Sequence, residues 1–213
     1  MDKKAELGKL NQKIRNCKKC PLWKTRKNAS PGEGPVDAKI IIVGQAPGAE
    51  EDKVGRPFVG RAGKFLNELL KLAKIKREET FLTAPVHCFP PKNRKPTKEE
   101  IEACLPYLKK QIEIINPQKF ILLGEVAFSV FFPNEKLSNV RSKWIKKNSK
   151  EYFATYHPAA GMRFPKIGKI LEKDFQKIKK ALKIFNHISI FQKITQLPEI
   201  ISDSNSRNYD NLI

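Results

Sequence analysis

The stretch IIIVGQAPGAEEDKVGRPFVGRAGKFLNELL, residues 40–70, organises the whole chain. Its first four residues form an unbroken apolar run, which predicts a strand that is buried on both faces. A loop rich in Gly and Pro begins at Gly44, and such loops let the backbone turn tightly and approach a ligand. Apolar residues then recur at three-and-four spacing from Ala62 to Ala73, which predicts a helix with one buried stripe. The stretch is therefore interpreted as a strand, a ligand loop and a helix.

The spacing of this loop matches neither common phosphate-binding motif. Residues 44–48, GQAPG, supply neither the G-x-G-x-x-G of dinucleotide-binding folds nor the Gly-Lys-Ser/Thr ending of the P-loop. The loop alone predicts a ligand site of unspecified chemistry, and a tight turn that binds nothing is the alternative.

The composition favours a polyanionic partner. The chain has 213 residues, enough for a full core in one domain. Its 42 Lys and Arg against 22 Asp and Glu give a net charge of +20, which favours nucleic acid. Lysines that are simply solvated on helix faces would give the same total. With no secretory segment and no apolar run of membrane-spanning length, we expect a cytoplasmic protein without a membrane partner.

Four cysteines form a candidate metal centre. Cys17 and Cys20 make a C-x-x-C motif, and Cys88 and Cys104 follow with fifteen residues between them. In an intracellular protein, four cysteines are more typical of metal ligands than of disulfides. Their spacing leaves open an iron–sulfur cluster, zinc, and cysteines without a metal role. A thioredoxin-like redox motif is disfavoured because the C-x-x-C precedes the first strand.

Strands and helices alternate along the rest of the chain. Pro106 is expected to kink or restart the helix that a capping box introduces at Thr97. The basic segment 141–150 contains Trp144, and it predicts either a nucleic-acid surface or an exposed hairpin with one core Trp. The polar residues 202–211 are predicted to be disordered. Further strands are predicted at 80–86, 119–124 and 153–156, and helices at 2–16, 97–115, 125–132 and 167–185.

This alternation predicts an α/β fold, a three-layer α/β/α sandwich around a parallel sheet. Ligands of such sheets bind beyond the carboxyl ends of the strands. The loop after Val43, the segment 84–88 and His157 all fall at those ends, so we expect them to line one pocket. A lone histidine is commonly a satisfied core or surface residue, but its strand-end position before small residues makes His157 a candidate catalyst.

Several motifs together resemble the family 4 uracil-DNA glycosylases of thermophilic bacteria and archaea. They are GQAPGAEEDKVGRPFVGRAG, CFPPKNRKPTKEE, HPAAGMR and the four cysteines, in order between about Leu7 and Phe185. The resemblance implies a central four-stranded parallel sheet and hydrolysis of the N-glycosidic bond of uracil in DNA. We assign residues 1–185 to this domain and residues 186–213 to a partly disordered extension. The implied [4Fe-4S] cluster is held by Cys17, Cys20, Cys88 and Cys104.

The resemblance also implies roles for individual residues. An enzyme of this kind flips its target base out of the DNA, and Phe58 corresponds to the ring on which the base stacks. His157 corresponds to a donor to the base O2, and the backbone amide of Gln45 supplies another, so these two are the catalytic candidates. Met162 and Arg163 correspond to a loop that enters the DNA minor groove. The implied uracil pocket comprises Gly44, Gln45, Ala46, Phe58, Ala84 and His157.

Two positions depart from the family pattern. Gln45 stands where the family has Glu, and Ala46 stands where the related family 1 enzymes carry a catalytic Asp. The motif therefore offers no carboxylate to orient the attacking water, which leaves residues 50–52 as candidates. Ala84 stands where the family has an Asn that pairs with the uracil edge. We expect its loss to weaken affinity and discrimination unless His87 or Asn93 compensates.

These departures keep other functions open. One is a glycosylase with shifted specificity, for instance for hypoxanthine. Another is an iron–sulfur protein that binds DNA without cutting it. A third, a zinc-stabilised RNA-binding protein, rests on the charge and the cysteines alone. We expect a monomer that acts on damaged bases in single- and double-stranded DNA, with a sliding clamp as a candidate partner.

Overall fold

The computed structural model describes residues 2–195, with side chains as far as residue 182. The described residues divide into two units, one that ends at Lys179 and one that begins at Lys180. The disorder expected for residues 202–211 lies outside the described residues. Within the described part of the chain, no helix is both long and apolar enough to cross a membrane.

The sheet has five strands rather than the predicted four. The strands are β1 Ile40–Val43, β2 Thr80–Thr83, β3 Lys119–Leu123, β4 Trp144–Lys147 and β5 Lys150–Thr155. Their order is β2-β1-β3-β5-β4, and the first four in that order are parallel. The fifth, β4, pairs antiparallel with β5 at the edge. The fold is therefore mixed α/β with a mostly parallel sheet.

The extra strand comes from the basic segment around Trp144. Asn148 and Ser149 have φ values of 48° and 59°, the left-handed pair that a two-residue hairpin turn requires. Lys146 and Lys147 are exposed, so β4 lacks the apolar alternation of a strand with a buried face. The hairpin alternative is confirmed, and the prediction of a purely parallel sheet is wrong because a lysine-rich edge strand carries little apolar signal.

Helices cover both faces of the central strands. Ile41 and Ile42 point to opposite faces, and neither has any exposed surface. Ile41 belongs to a core cluster with residues of the first and fourth helices, such as Leu7 and Leu108. The helices are α1 Lys3–Arg15, α2 Ala49–Val54, α3 Arg61–Ala73, α4 Lys98–Ile115, α5 Glu125–Phe131, α6 Leu137–Val140, α7 Pro158–Arg163 and α8 Pro165–Thr195.

Helix α4 begins as predicted and continues past its proline. The Thr97 hydroxyl accepts from the Glu100 amide at 3.3 Å, and the Glu100 carboxylate accepts from the Thr97 amide at 2.8 Å. The restart expected at Pro106 does not occur. Pro106 and Glu102 are both exposed, so the carbonyl that the missing N–H leaves unpaired can bind water.

Candidate active site and cysteine recess

A pocket of about 540 Å³, here called the strand-end pocket, opens beyond the carboxyl ends of the parallel strands. Parallel strands end at the same edge of a sheet, so residues that are distant in sequence meet there. The loop after β1, the residue after β2 and the residues after β5 all contribute to the lining. All six residues of the implied uracil pocket lie in that lining: Gly44, Gln45, Ala46, Phe58, Ala84 and His157.

Phe58 is held in an unusual backbone conformation. Its φ is 53°, in the left-handed region that residues with a side chain rarely adopt. The Arg77 guanidinium donates to the carbonyl of Phe58 at 3.2 Å and to that of Pro57 at 2.9 Å. The ring packs on Gly44, where a Cβ atom would lie 2.6 Å from Phe58 Cζ. The Phe58 ring lies 6.2 Å from the His157 ring, with 21° between their planes.

Helix α3 approaches this backbone so closely that only glycine fits at position 63. A Cβ atom there would lie 1.9 Å from the Phe58 carbonyl oxygen. We expect Gly63→Ala to lower the free energy of unfolding by about 1–3 kcal/mol, because the loop must move. In α1, a Cβ atom on Gly8 meets nothing within 4 Å, so Gly8→Ala should stabilise by about 0.5–1 kcal/mol. Thermal unfolding of the two variants tests this contrast, and equal shifts would contradict it.

Glu51 ties the two ends of the ligand loop together. One carboxylate oxygen accepts from the amides of Val59 at 2.9 Å and Gly60 at 2.8 Å. The other accepts from the Gly48 amide at 3.1 Å. All three donors belong to the loop between β1 and α3, so Glu51 fixes the shape of the loop that carries Phe58.

The other two acidic candidates are also engaged. Asp52 is buried and accepts from the amides of Lys27 at 3.0 Å and Asn28 at 3.4 Å. Glu50 is exposed and pairs with Lys53 at 2.8 Å. The carboxylates of residues 50–52 therefore stabilise the local structure, and each has a protein partner. Glu51 also lines the strand-end pocket, so it is the one of the three that lies at the candidate site.

His157 enters the pocket as the residue that caps α7. Its Nδ1 accepts from the Ala159 amide at 3.2 Å, so the ring proton of the neutral form lies on Nε2. Although part of the ring faces the pocket, burial lowers the pKa of His157 to about 4, against an opposing contribution from the Glu51 carboxylate. Near neutral pH, His157 is an uncharged donor through Nε2–H.

This pKa predicts how activity depends on pH. Histidine ordinarily titrates at 6.5, but His157 stays neutral until the pH falls towards about 4. Protonation would then place a hydrogen on Nδ1, opposite the Ala159 amide, and break the cap. We expect the single-turnover rate to show no histidine transition between about pH 6 and 8. A transition near pH 6.5 that disappears in His157→Gln would contradict this.

Met162 and Arg163, the predicted DNA contacts, lie at or near the mouth of the pocket. Arg163 lines it and is exposed, whereas Met162 is 42% exposed and lies outside the lining. Sequence reasoning missed Phe164, which lines the mouth, is 49% exposed and lies 5.3 Å from the Arg163 guanidinium. Its place directly after HPAAGMR was a signal, but only the structure shows that its ring is exposed.

Asn93 and His87, the two residues considered as replacements for the family Asn, lie at different places in the structure. Asn93 lines the strand-end pocket, so it stays a candidate. His87 is 1% exposed and lines a different recess, with its Nδ1 2.9 Å from the Ser30 carbonyl oxygen. His87 therefore does not contact the base site. Ser30, which the sequence did not single out, does line the pocket.

All four cysteines line one recess, here called the cysteine recess, and all are free thiols. The Arg26 guanidinium donates to Cys88 Sγ at 2.9 Å. Burial raises the thiol pKa of Cys20 and Cys88, and that of Cys104 to about 12. Cys20, Cys88 and Cys104 resist ionisation as free thiols, and a cationic centre shared by the four cysteines would deprotonate its ligands on binding.

The geometry of the recess also bears on which centre it could hold. Among the described residues, no group of three or more His, Cys, Asp or Glu is arranged to hold a metal ion. The four cysteines nevertheless line one recess. A four-cysteine donor set of this kind is the one that [4Fe-4S] clusters use, so the residues present fit that group.

Comparison with known proteins identifies the family. Residues 31–185 match the sequence model of the Uracil DNA glycosylase superfamily. The type-4 uracil-DNA glycosylase of Saccharolobus solfataricus is 46% identical over 186 residues, which cover 83% of this chain and 86% of the relative. The type-4 enzyme of Pyrobaculum aerophilum is 46% identical over 79% of this chain and 91% of the relative. The type-4 enzyme of Thermotoga maritima is 40% identical over 82% of this chain and 93% of the relative. The chain therefore belongs to the uracil DNA glycosylase superfamily, and within it to the type-4 enzymes.

Proposed function

We propose that the strand-end pocket is the active site at which this DNA repair glycosylase hydrolyses the N-glycosidic bond of uracil and leaves an abasic site. One observation carries the proposal: Phe58, the neutral donor His157 and the backbone of Gln45 line the same pocket. This set can stack a flat base and stabilise negative charge on it. DNA is the partner of such an enzyme.

The chemistry follows from where charge develops. The bond between C1′ of the sugar and N1 of uracil breaks, and its electron pair leaves on the base. In this proposal the Nε2–H of His157 and the backbone amide of Gln45 donate to the base O2, where that negative charge accumulates. Water then adds to C1′, and the proton it loses restores neutrality to the uracil anion or passes to solvent. A preorganised donor of this type contributes about 3–4 kcal/mol to lowering the barrier.

Gln45 has a second role in this proposal. Its side chain lines the pocket and has no hydrogen-bond partner among the residues whose side chains are described. Its amide oxygen can orient the attacking water. An amide is not a base, but a positively charged sugar centre needs an oriented water more than a deprotonated one. Glu50 and Asp52 do not line the pocket, and Glu51, which does, binds three loop amides, so we assign this task to Gln45.

DNA would approach along the mouth of the pocket. Phe164 presents an exposed ring there, and Met162 presents an exposed side chain two residues away; both are apolar groups suited to filling the gap that an extruded base leaves in the stack. Arg163 lies between them and can contact phosphate. The net charge of +20 supplies further phosphate contacts, so binding should weaken steeply with salt.

We propose that Cys17, Cys20, Cys88 and Cys104 hold the [4Fe-4S] cluster. When bound, the cluster would join the segment after α1 to the loop after β2 and to α4. The Arg26 guanidinium would offset the negative charge of the thiolates. The role is structural, because the cysteines line a recess separate from the strand-end pocket.

Base release from oligonucleotides tests this function. Single- and double-stranded DNA containing uracil, hypoxanthine or cytosine is incubated with excess protein, and abasic sites are cleaved with alkali. We expect cleavage at uracil. Release of hypoxanthine alone would mean shifted specificity on the same scaffold, which Ala84 favours as the second candidate. Tight, salt-sensitive binding with no release of any base would replace the enzyme with a DNA-binding protein.

A further inference from the structure

We propose that the hydroxyl of Ser30 reads the O4 and N3–H edge of uracil, in place of the amide that is missing at Ala84. This inference rests on the proposed function and names a specificity-determining residue for it. Ser30 lines the strand-end pocket and is 4% exposed. Its Oγ is buried, and no described residue hydrogen-bonds to it. Buried hydroxyls are nearly always paired, so an unpaired one in a pocket wall points to a ligand.

The backbone holds Ser30 beside the segment that carries Ala84. The Ser30 amide donates to the His87 carbonyl at 2.8 Å, and the Ser30 carbonyl lies 2.9 Å from His87 Nδ1. Glu33 and Leu82 exchange backbone hydrogen bonds of 2.9 and 2.7 Å in an antiparallel bridge. Residues 30–33 therefore run antiparallel to residues 82–87. These bonds fix the backbone of Ser30, whereas no hydrogen bond among the described residues fixes the orientation of its hydroxyl.

The other polar side chains of the pocket are less suited to this role. The buried Thr83 hydroxyl donates its hydrogen to Gln111 Oε1 at 2.7 Å. Asn93 and Lys95 are exposed, so they stand near the mouth. Because N1 of an extruded uracil stays attached to DNA at the mouth, the deep groups face the edge farthest from N1. That edge carries O4 and N3–H, and Ser30 is the deep hydroxyl available to meet it.

The chemistry of a hydroxyl predicts the substrate class. A serine hydroxyl has one donor and two acceptor positions, so it can donate to O4 or accept from N3–H. Hypoxanthine presents the same pair, a carbonyl beside an N–H. The hydroxyl can also rotate to accept from the amine of cytosine, unlike a fixed amide. We therefore expect Ser30 to supply affinity for deaminated bases with weaker exclusion of cytosine than an asparagine would give.

Ser30→Ala tests the inference. We expect kcat/KM for uracil in single-stranded DNA to fall about tenfold, the usual effect of one buried hydrogen bond. A much smaller loss for 4-thiouracil, whose sulfur is a poor acceptor, would assign the bond to O4. Adding Ala84→Asn to Ser30→Ala should restore uracil excision. Ser129→Ala is the matched control, since that hydroxyl bonds to the Val126 carbonyl at 3.2 Å outside the pocket.

The outcomes separate this inference from the proposed function. Unchanged uracil kinetics in Ser30→Ala would overturn the role of Ser30, whereas equal losses for uracil and 4-thiouracil would support it through a bond from N3–H. If the wild-type protein released no base, the proposed function would fail instead. Ser30 is then tested by binding to DNA that contains non-cleavable 2′-fluoro-deoxyuridine, compared with an abasic analogue. A preference for the uracil analogue that Ser30→Ala abolishes supports the inference, and a preference that it leaves unchanged overturns it.

Discussion

Replacing His157 by alanine is expected to slow uracil release about 10²–10³-fold while leaving the protein folded. The neutral ring donates through Nε2 because Nδ1 is held by the Ala159 amide and because burial keeps the pKa at about 4. The donor therefore needs no reorientation when charge develops on the base. The measurement is the single-turnover rate, with thermal unfolding as the check on folding.

His157→Gln sharpens this test. The glutamine amide can place an N–H near the position of Nε2–H, so it should recover part of the rate that alanine loses. DNA binding should change little in either variant, because the donor acts mainly in the transition state. Equal rates for wild type and His157→Ala would remove His157 from the mechanism. Loss of DNA binding together with rate would instead assign it to ground-state recognition.

Replacing Cys88 by serine is expected to abolish binding of the iron centre and to lower the free energy of unfolding substantially. Cys88 is buried in the cysteine recess and accepts from Arg26 at 2.9 Å, so a missing sulfur ligand also removes one of the two partners of that guanidinium, the other being the Arg15 carbonyl. Because metal binding contributes directly to folding, we expect a loss on the order of 5 kcal/mol. For a domain of this size, that is a fall in Tm of roughly 10–20 °C.

The readouts for Cys88→Ser are iron content, visible absorbance and Tm. Ala103→Ser adds a hydroxyl at the same recess without removing a sulfur, so it should keep colour, iron and most of the stability. A colourless Cys88→Ser protein that remains fully folded and active would refute the structural role of the centre. Zinc in place of iron in the wild-type protein would refute the cluster itself.

Local sequence patterns were sufficient to predict the strands and helices whose buried faces give a regular apolar pattern. The apolar run of β1 and the three-and-four spacing of α3 predicted their positions because both are buried against the core. The edge strand β4 was not predicted as part of the sheet because its exposed lysines give no such pattern. The segment around Trp144 was predicted only as a possible hairpin. Short helix α2 was also missed, since Ala49–Val54 is too brief to show a period.

The sequence predicts those pocket residues that lie at the ends of strands. Gly44, Ala84 and His157 follow parallel strands, so topology brought them together. Ser30 follows no strand of the sheet. Its position in the pocket lining depends on backbone pairing with His87, and no sequence pattern predicts that pairing. Hydrogen bonding cannot be read from the sequence either: only the structure shows that Glu51 accepts from three loop amides.

The central claim, that the strand-end pocket breaks the N-glycosidic bond of uracil, is tested most directly by measuring free uracil. Purified protein is mixed with an excess of uracil-containing single-stranded DNA, and the released base is identified by mass and counted against abasic sites. We predict one free uracil for each abasic site and more than one turnover per protein molecule, with release sharply reduced in His157→Ala. Binding of the DNA without free uracil, or equal release by the His157 variant, would contradict the account.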